Sequence, residues 1–122
     1  MTSKATRDQL RVTAMTEAAE EAKRDSAGGK STFVQGGLAQ KAVFLDLIHF
    51  TESAEKTSPA FKQLNPRVPW RRLSRLRNRG LVHDYVEVDL EDIWTFVRDE
   101  LPGIRRLLDR AVFQEDSEDK PR

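Results

Sequence analysis

From Leu90 to Ala111 the apolar residues recur every three or four positions, and this one stripe commits the chain to a fold built from helices. Leu90, Ile93, Trp94, Val97, Leu101, Ile104, Leu108 and Ala111 fall on one side of an α-helix. Asp89 stands where a cap belongs, and Asp92 in the first turn suits the positive end of the helix dipole. Pro102 lies inside the stripe and removes one backbone donor, so a kink is expected there. No segment reads as a convincing strand. Val86 and Val88 alternate, but the run is too short to build a sheet.

The other segments repeat this pattern less sharply. A first helix is expected over about Thr6–Arg24, with Leu10, Ala14, Ala18 and Ala22 in one stripe and Val12, Met15 and Ala19 beside it. Its narrow face of small residues implies close or weak packing. The residues from Ser26 to Thr32 break the period and read as a loop. Within it Gly29-Lys30-Ser31 resembles the end of a phosphate-binding loop. Arg24 stands where the leading glycine would be, and no strand precedes it, so it is not read as one.

A second helix is expected from Gly37 to about Thr57. Its apolar residues (Leu38, Ala42, Val43, Leu45, Leu47, Ile48 and Phe50) cover much of the circumference. Such a helix is central to a bundle or lies in a subunit interface. Ser58-Pro59 stops it, Phe61 and Leu64 suggest a short turn, and Asn65-Pro66 ends that. Pro69 suits the first turn of a third helix, with Trp70, Leu73 and Leu76 facing inward, and Gly80 predicts a bend or fraying at its end. The fold class is all-α: an up-and-down bundle of four main helices, five with the short turn. The helical domain is placed at residues 1–113, and the charged residues 114–122 are expected to be a disordered tail.

Composition narrows the chemistry. The 122 residues include no cysteine, which removes disulfides, thiolate zinc sites and cysteine nucleophiles. The formal net charge of +1 names no partner, so local charge must be read instead. The two histidines stand far apart and the carboxylates are scattered without ligand spacing, so neither a metal nor another cofactor is expected. A serine triad is equally unsupported. The N-terminus lacks an apolar signal core and no run approaches a membrane span, so no membrane partner and a cytoplasmic location are expected.

Local charge points to one place. Six arginines (Arg67, Arg71, Arg72, Arg75, Arg77 and Arg79) and no lysine lie between positions 67 and 79. The plain reading is a solvated helix face. The sharper one is a strip in which Arg71, Arg72 and Arg75 hold a nucleic-acid backbone, since guanidinium forks match phosphate oxygens. The strip leads to Arg77-Asn78-Arg79 and then to His83 and Tyr85, the only tyrosine. Histidine exchanges protons near neutral pH, and arginine stabilises charge on phosphate. Together they are what metal-free RNA cleavage needs. Glu52 is a further candidate, either as a solvent-facing acid or as a carboxylate that pairs with Arg77 or orients His83. His49 is read as a surface or interface residue.

These residues resemble the HepT-like branch of the HEPN superfamily over about positions 38–108. Gln40-Lys41-Ala42-Val43 is similar to the family's start of the second helix. Glu52-Ser53-Ala54 before Ser58-Pro59 is similar to its Gly-Glu-Ala and Ser-Pro stretch, with Thr51 in place of the glycine. Val68-Pro69-Trp70-Arg71 matches its Ile-Pro-Trp-Arg, and Arg77-Asn78 through His83-x-Tyr85 matches its signature. Val88-Asp89-Leu90, Trp94 and Leu101-Pro102 match the family's residues beyond that signature. The family most often has four residues between the motif arginine and histidine, whereas five separate Arg77 from His83, Gly80 looking like the extra one. Arg79 is the alternative motif arginine, and Arg77 is preferred because Asn78 comes directly after it.

The resemblance implies the toxin of a toxin–antitoxin pair, a metal-independent endoribonuclease acting as a homodimer. It also implies an MntA-like nucleotidyltransferase antitoxin that transfers AMP onto Tyr85, and larger hetero-oligomers with that partner. The rival readings are a non-catalytic helical partner that presents substrate to a nucleotidyltransferase, and a general RNA-binding module.

Overall fold

The computed structural model describes residues 3–81 and 89–114, with the backbone alone at Arg79 and Gly80. His83, Tyr85 and the alternating valines lie outside the described residues, as do residues 115–122. Among the described residues the regular structure is entirely helical, as the periodicity requires.

Helix α1 (Lys4–Asp25) starts at Ser3, whose Oγ accepts from Thr6 N at 3.1 Å. Its buried face keeps five of the seven expected residues and loses Leu10 and Ala14. Val12, Met15, Ala18, Ala19 and Ala22 are buried, but Leu10 is 61% exposed. The alanines let the backbone come close to α3 (Leu38–Glu55), the most extensive helix–helix contact among the described residues. α3 is the central helix. Val43, Phe44, Leu47, Phe50 and Ala54 are buried along it, while Leu38 and Leu45 face outward. Gly37, with φ of 86°, caps its start, because the left-handed conformation favours glycine.

One expectation fails between these helices. The stretch read as a loop contains the start of α2 (Lys30–Val34). The reason is tertiary. Phe33 is 1% exposed and packs on Phe44 and Trp94, with ring centroids 6.2 and 5.5 Å away. Burying that ring outweighs the weak helix tendency around two glycines.

Asp8 ties the start of α1 to α4 (Pro59–Leu64). Its carboxylate accepts from Ser58 N at 2.8 Å and from Ser58 Oγ at 2.6 Å, while Ser58 Oγ caps α4 by accepting from Phe61 N. Trp70 donates from Nε1 to the Asn65 carbonyl at 3.0 Å and opens α5 (Trp70–Arg75).

α5 does not end there. It continues as a π-helical turn over Leu76–Leu81, in which backbone bonds close five residues back instead of four. A second such turn, Phe96–Glu100, joins α6 (Leu90–Thr95) to α7 (Leu101–Asp109). Asp89 caps α6 as expected, accepting from Glu91 N at 3.0 Å and Asp92 N at 3.2 Å.

The two wide turns share a sequence signature. Leu76 and Leu81 are both buried, and so are Phe96 and Leu101, each pair five residues apart. In an α-helix such residues stand about 140° apart around the axis. A π turn brings them onto one face. The stripe over 90–111 therefore omits Phe96, which is fully buried. Pro102, where a kink is expected, stands directly after this second wide turn, at the start of α7.

This spacing predicts the effect of a deletion. Removing Gly80 leaves Leu76 and Leu81 four apart, so an α turn buries both. The variant is expected to melt within about 5 °C of the parent. Deleting Ala19 from α1 rotates the buried alanines out of register, and a fall of more than roughly 15 °C is expected. Thermal melts followed by circular dichroism check both, and a large loss on removing Gly80 would refute the phase argument.

Candidate active site

The π turn at the end of α5 presents the first half of the motif. Arg77 is half-buried and Asn78 exposed, and Arg77 Nη1 donates to Asn78 Oδ1 at 3.4 Å. The turn packs against α3 and brings Arg77 within electrostatic reach of Glu52. Glu52 forms its ion pair with Lys56, at 3.0 Å. That bonded ammonium holds the Glu52 carboxylate below its usual range, with smaller pulls from Arg77 and His49. Among the described residues the direct partner of Glu52 is thus Lys56, with Arg77 farther off. His49 is exposed on the same helix and lines with Arg11, Glu52 and Lys56 a cleft of about 580 Å³ between α1 and α3.

The arginine strip divides. Arg71 and Arg75 are exposed, one helical turn apart. Arg72 turns inward, which the even reading of the strip did not anticipate. Its Nε and Nη2 donate to Glu100 at 3.1 and 3.0 Å, and its Nη1 and Nη2 to Asp92 at 3.2 and 3.0 Å. The guanidinium also lies 5.5 Å from the Phe96 ring centroid. Hydrogen bonding to Glu100 holds Arg72 above its ordinary range. Two forked contacts leave few donors for phosphate. Arg72 instead ties α5 to α6 and the second π turn, on either side of the segment that carries His83. The separations 72 to 92 and 72 to 100 match no local spacing rule, so sequence could not reveal this pairing.

The fold also assembles carboxylates that look scattered in sequence. Glu21 and Asp25 on α1 and Asp46 on α3 place ligand oxygens within 4.8 Å of one another. Burial pushes the Asp46 carboxyl up to about 8, helped by hydrogen bonding to Asp25 and by the charges of Asp25 and Glu21, with Arg24 pulling the other way.

The family model described as ribonuclease HepT-like matches residues 15–111, from α1 through both π turns to the end of the last helix. The chain belongs to the HepT-like ribonuclease family. It is 33% identical over 66 residues to a protein of Thermococcus cleftensis named as a ribonuclease HepT, a match spanning 54% of this chain and 59% of that one. It is 28% identical over 88 residues to a Methanocaldococcus jannaschii protein named as an RNase, covering 72% of each. No solved structure matches the chain at significant similarity. The HepT-like match takes in Arg77 and His83, the expected catalytic pair, and the all-α bundle is the expected fold. No helix among the described residues is long and apolar enough to cross a membrane.

Proposed function

We propose that this chain is a metal-independent endoribonuclease and the toxin of a toxin–antitoxin pair. The observation that carries the reading is the HepT-like match across the whole motif region, with Arg77 and Asn78 displayed on a turn packed against the central helix. RNA supplies its own nucleophile, the 2′-hydroxyl. His83 moves the proton, Arg77 stabilises the charged pentavalent phosphate, and Asn78 orients substrate or the histidine. Arg71 and Arg75, exposed one turn apart, hold the RNA backbone beside the site. The bond that breaks is phosphorus to the 5′-oxygen, which leaves protonated, so the products are a 2′,3′-cyclic phosphate and a 5′-hydroxyl. One histidine does not readily serve as base and acid at once. A two-fold homodimer that brings both copies of His83 into one cleft resolves this. An MntA-like nucleotidyltransferase is the antitoxin, and AMP placed on Tyr85 adds bulk and negative charge beside the phosphate site.

The test is a gel assay of purified protein on total tRNA and mRNA with EDTA present, comparing the parent with His83→Ala. Expected are cleavage by the parent, none by the variant, and no cleavage of the equivalent DNA. Cutting that needs added magnesium, or that survives the substitution, would refute the scheme. If neither cuts and intact mass shows Tyr85 unmodified, the chain is a non-catalytic partner instead.

A further inference from the structure

At one end of the α1–α3 contact, away from the arginine strip in sequence, the chain gathers negative charge where charge is costly. Glu21 and Asp25 are one helical turn apart on α1, so both reach the same side. Asp46 meets them from α3. The residue is 7% exposed, and its Oδ2 has no hydrogen-bond donor among the described residues; the neighbouring Asp25 carboxylate is itself an acceptor and pairs with Asp46 only through a shared proton. That atom belongs to the carboxylate that offers one oxygen within 4.8 Å of one oxygen each from Glu21 and Asp25. A buried carboxylate oxygen without a donor is costly to keep. The nearby cation, Arg24, reaches Glu21 at 3.9 Å through side chains that are mostly exposed. It does not satisfy Asp46 Oδ2.

We propose that Glu21, Asp25 and Asp46 bind one hard divalent cation that joins α1 to α3. The donor set is carboxylate oxygen alone, which suits magnesium, manganese or calcium over zinc or copper. The spacing suits calcium best: oxygens bound at about 2.3–2.5 Å on opposite sides of calcium lie up to about 5 Å apart, whereas magnesium, at about 2.0–2.1 Å, draws them to about 4.2 Å or less. Glu21 is exposed and Asp25 half-exposed, which leaves room for water to complete the shell. The role is structural. The ion neutralises the cluster and holds the longest helix against the central one. This inference stands independently of the cleavage reading, which assigns the ion no part in the reaction.

The experiment uses the full chain, stripped with EDTA and dialysed, then melted with calcium or manganese against a potassium control of equal ionic strength. At a hundredfold excess over Kd the parent is expected to melt roughly 10 °C higher. Manganese titration followed by electron paramagnetic resonance should show one site per chain. Asp46→Asn is expected to lose the cation-dependent shift. Glu21→Gln, a change at an exposed position, should keep the fold and weaken manganese about tenfold or more. No shift in the parent would overturn the proposal, and would mean that Asp46 holds a proton shared with Asp25 instead. An unchanged manganese affinity in Glu21→Gln would overturn it as well, even if Asp46→Asn failed to fold. RNA cleavage measured on the same samples keeps the two readings separate, since the ion should move Tm and leave the rate unchanged while the protein is folded.

Discussion

Arg77→Ala is expected to lower RNA cleavage by a factor of about 10² to 10³ while leaving the melting temperature within a few degrees of the parent. The side chain is half-buried at the surface of the π turn and outside the hydrophobic core, so little packing is lost with it. On the proposed mechanism the loss is of the positioned charge that meets the phosphate as it becomes dianionic. Arg77→Lys keeps that charge and loses the fork, so an intermediate rate is expected. Single-turnover cleavage of a labelled tRNA checks the series. A rate unchanged in Arg77→Ala but lost in Arg79→Ala would move the role to Arg79. A rate unchanged in both would end the assignment of a motif guanidinium.

Phe96→Ala is expected to cost about 3–5 kcal/mol, enough to lower Tm by roughly 10–20 °C. The ring is fully buried and meets Phe50 edge-on at 6.5 Å, with the Arg72 guanidinium over its face at 5.5 Å. Removing it leaves a void between the central helix and the second π turn and takes away the platform under Arg72. Cleavage should therefore weaken at temperatures where the variant is still folded, because α5 loses a restraint that places the motif. Urea unfolding and activity at low temperature measure the two effects. A loss below about 1 kcal/mol would show that the second π turn is not packed as described.

How much of the fold is readable from sequence differs from element to element, and the reasons are physical. α3 and the run from Leu90 to Asp109 are legible because burial along them tracks helical spacing, and Asp89 because capping is a local interaction. α2 is not legible. Its only strong signal is Phe33, whose burial depends on Phe44 and Trp94, distant in the chain. Phe96 escapes a reading at the α period, which puts it off the stripe, whereas five-residue spacing of buried pairs marks a π turn. The motif residues stand out by type and order, since arginine, asparagine, histidine and tyrosine near a basic strip are unusual together.

Residue type, period and caps act over a turn or two of chain, and those local terms alone committed this protein to helices, set most of their limits and marked the segment from Arg67 to Tyr85. Contacts between residues far apart in sequence obey no such rule. Only the folded bundle decided that Arg72 faces Asp92 and Glu100 instead of solvent, that Glu52 lies within reach of Arg77 with Lys56 as its partner, and that Glu21, Asp25 and Asp46 share one corner. The interaction of charges depends on their distance and on how much water remains between them, and both are set by the packing of helices against one another.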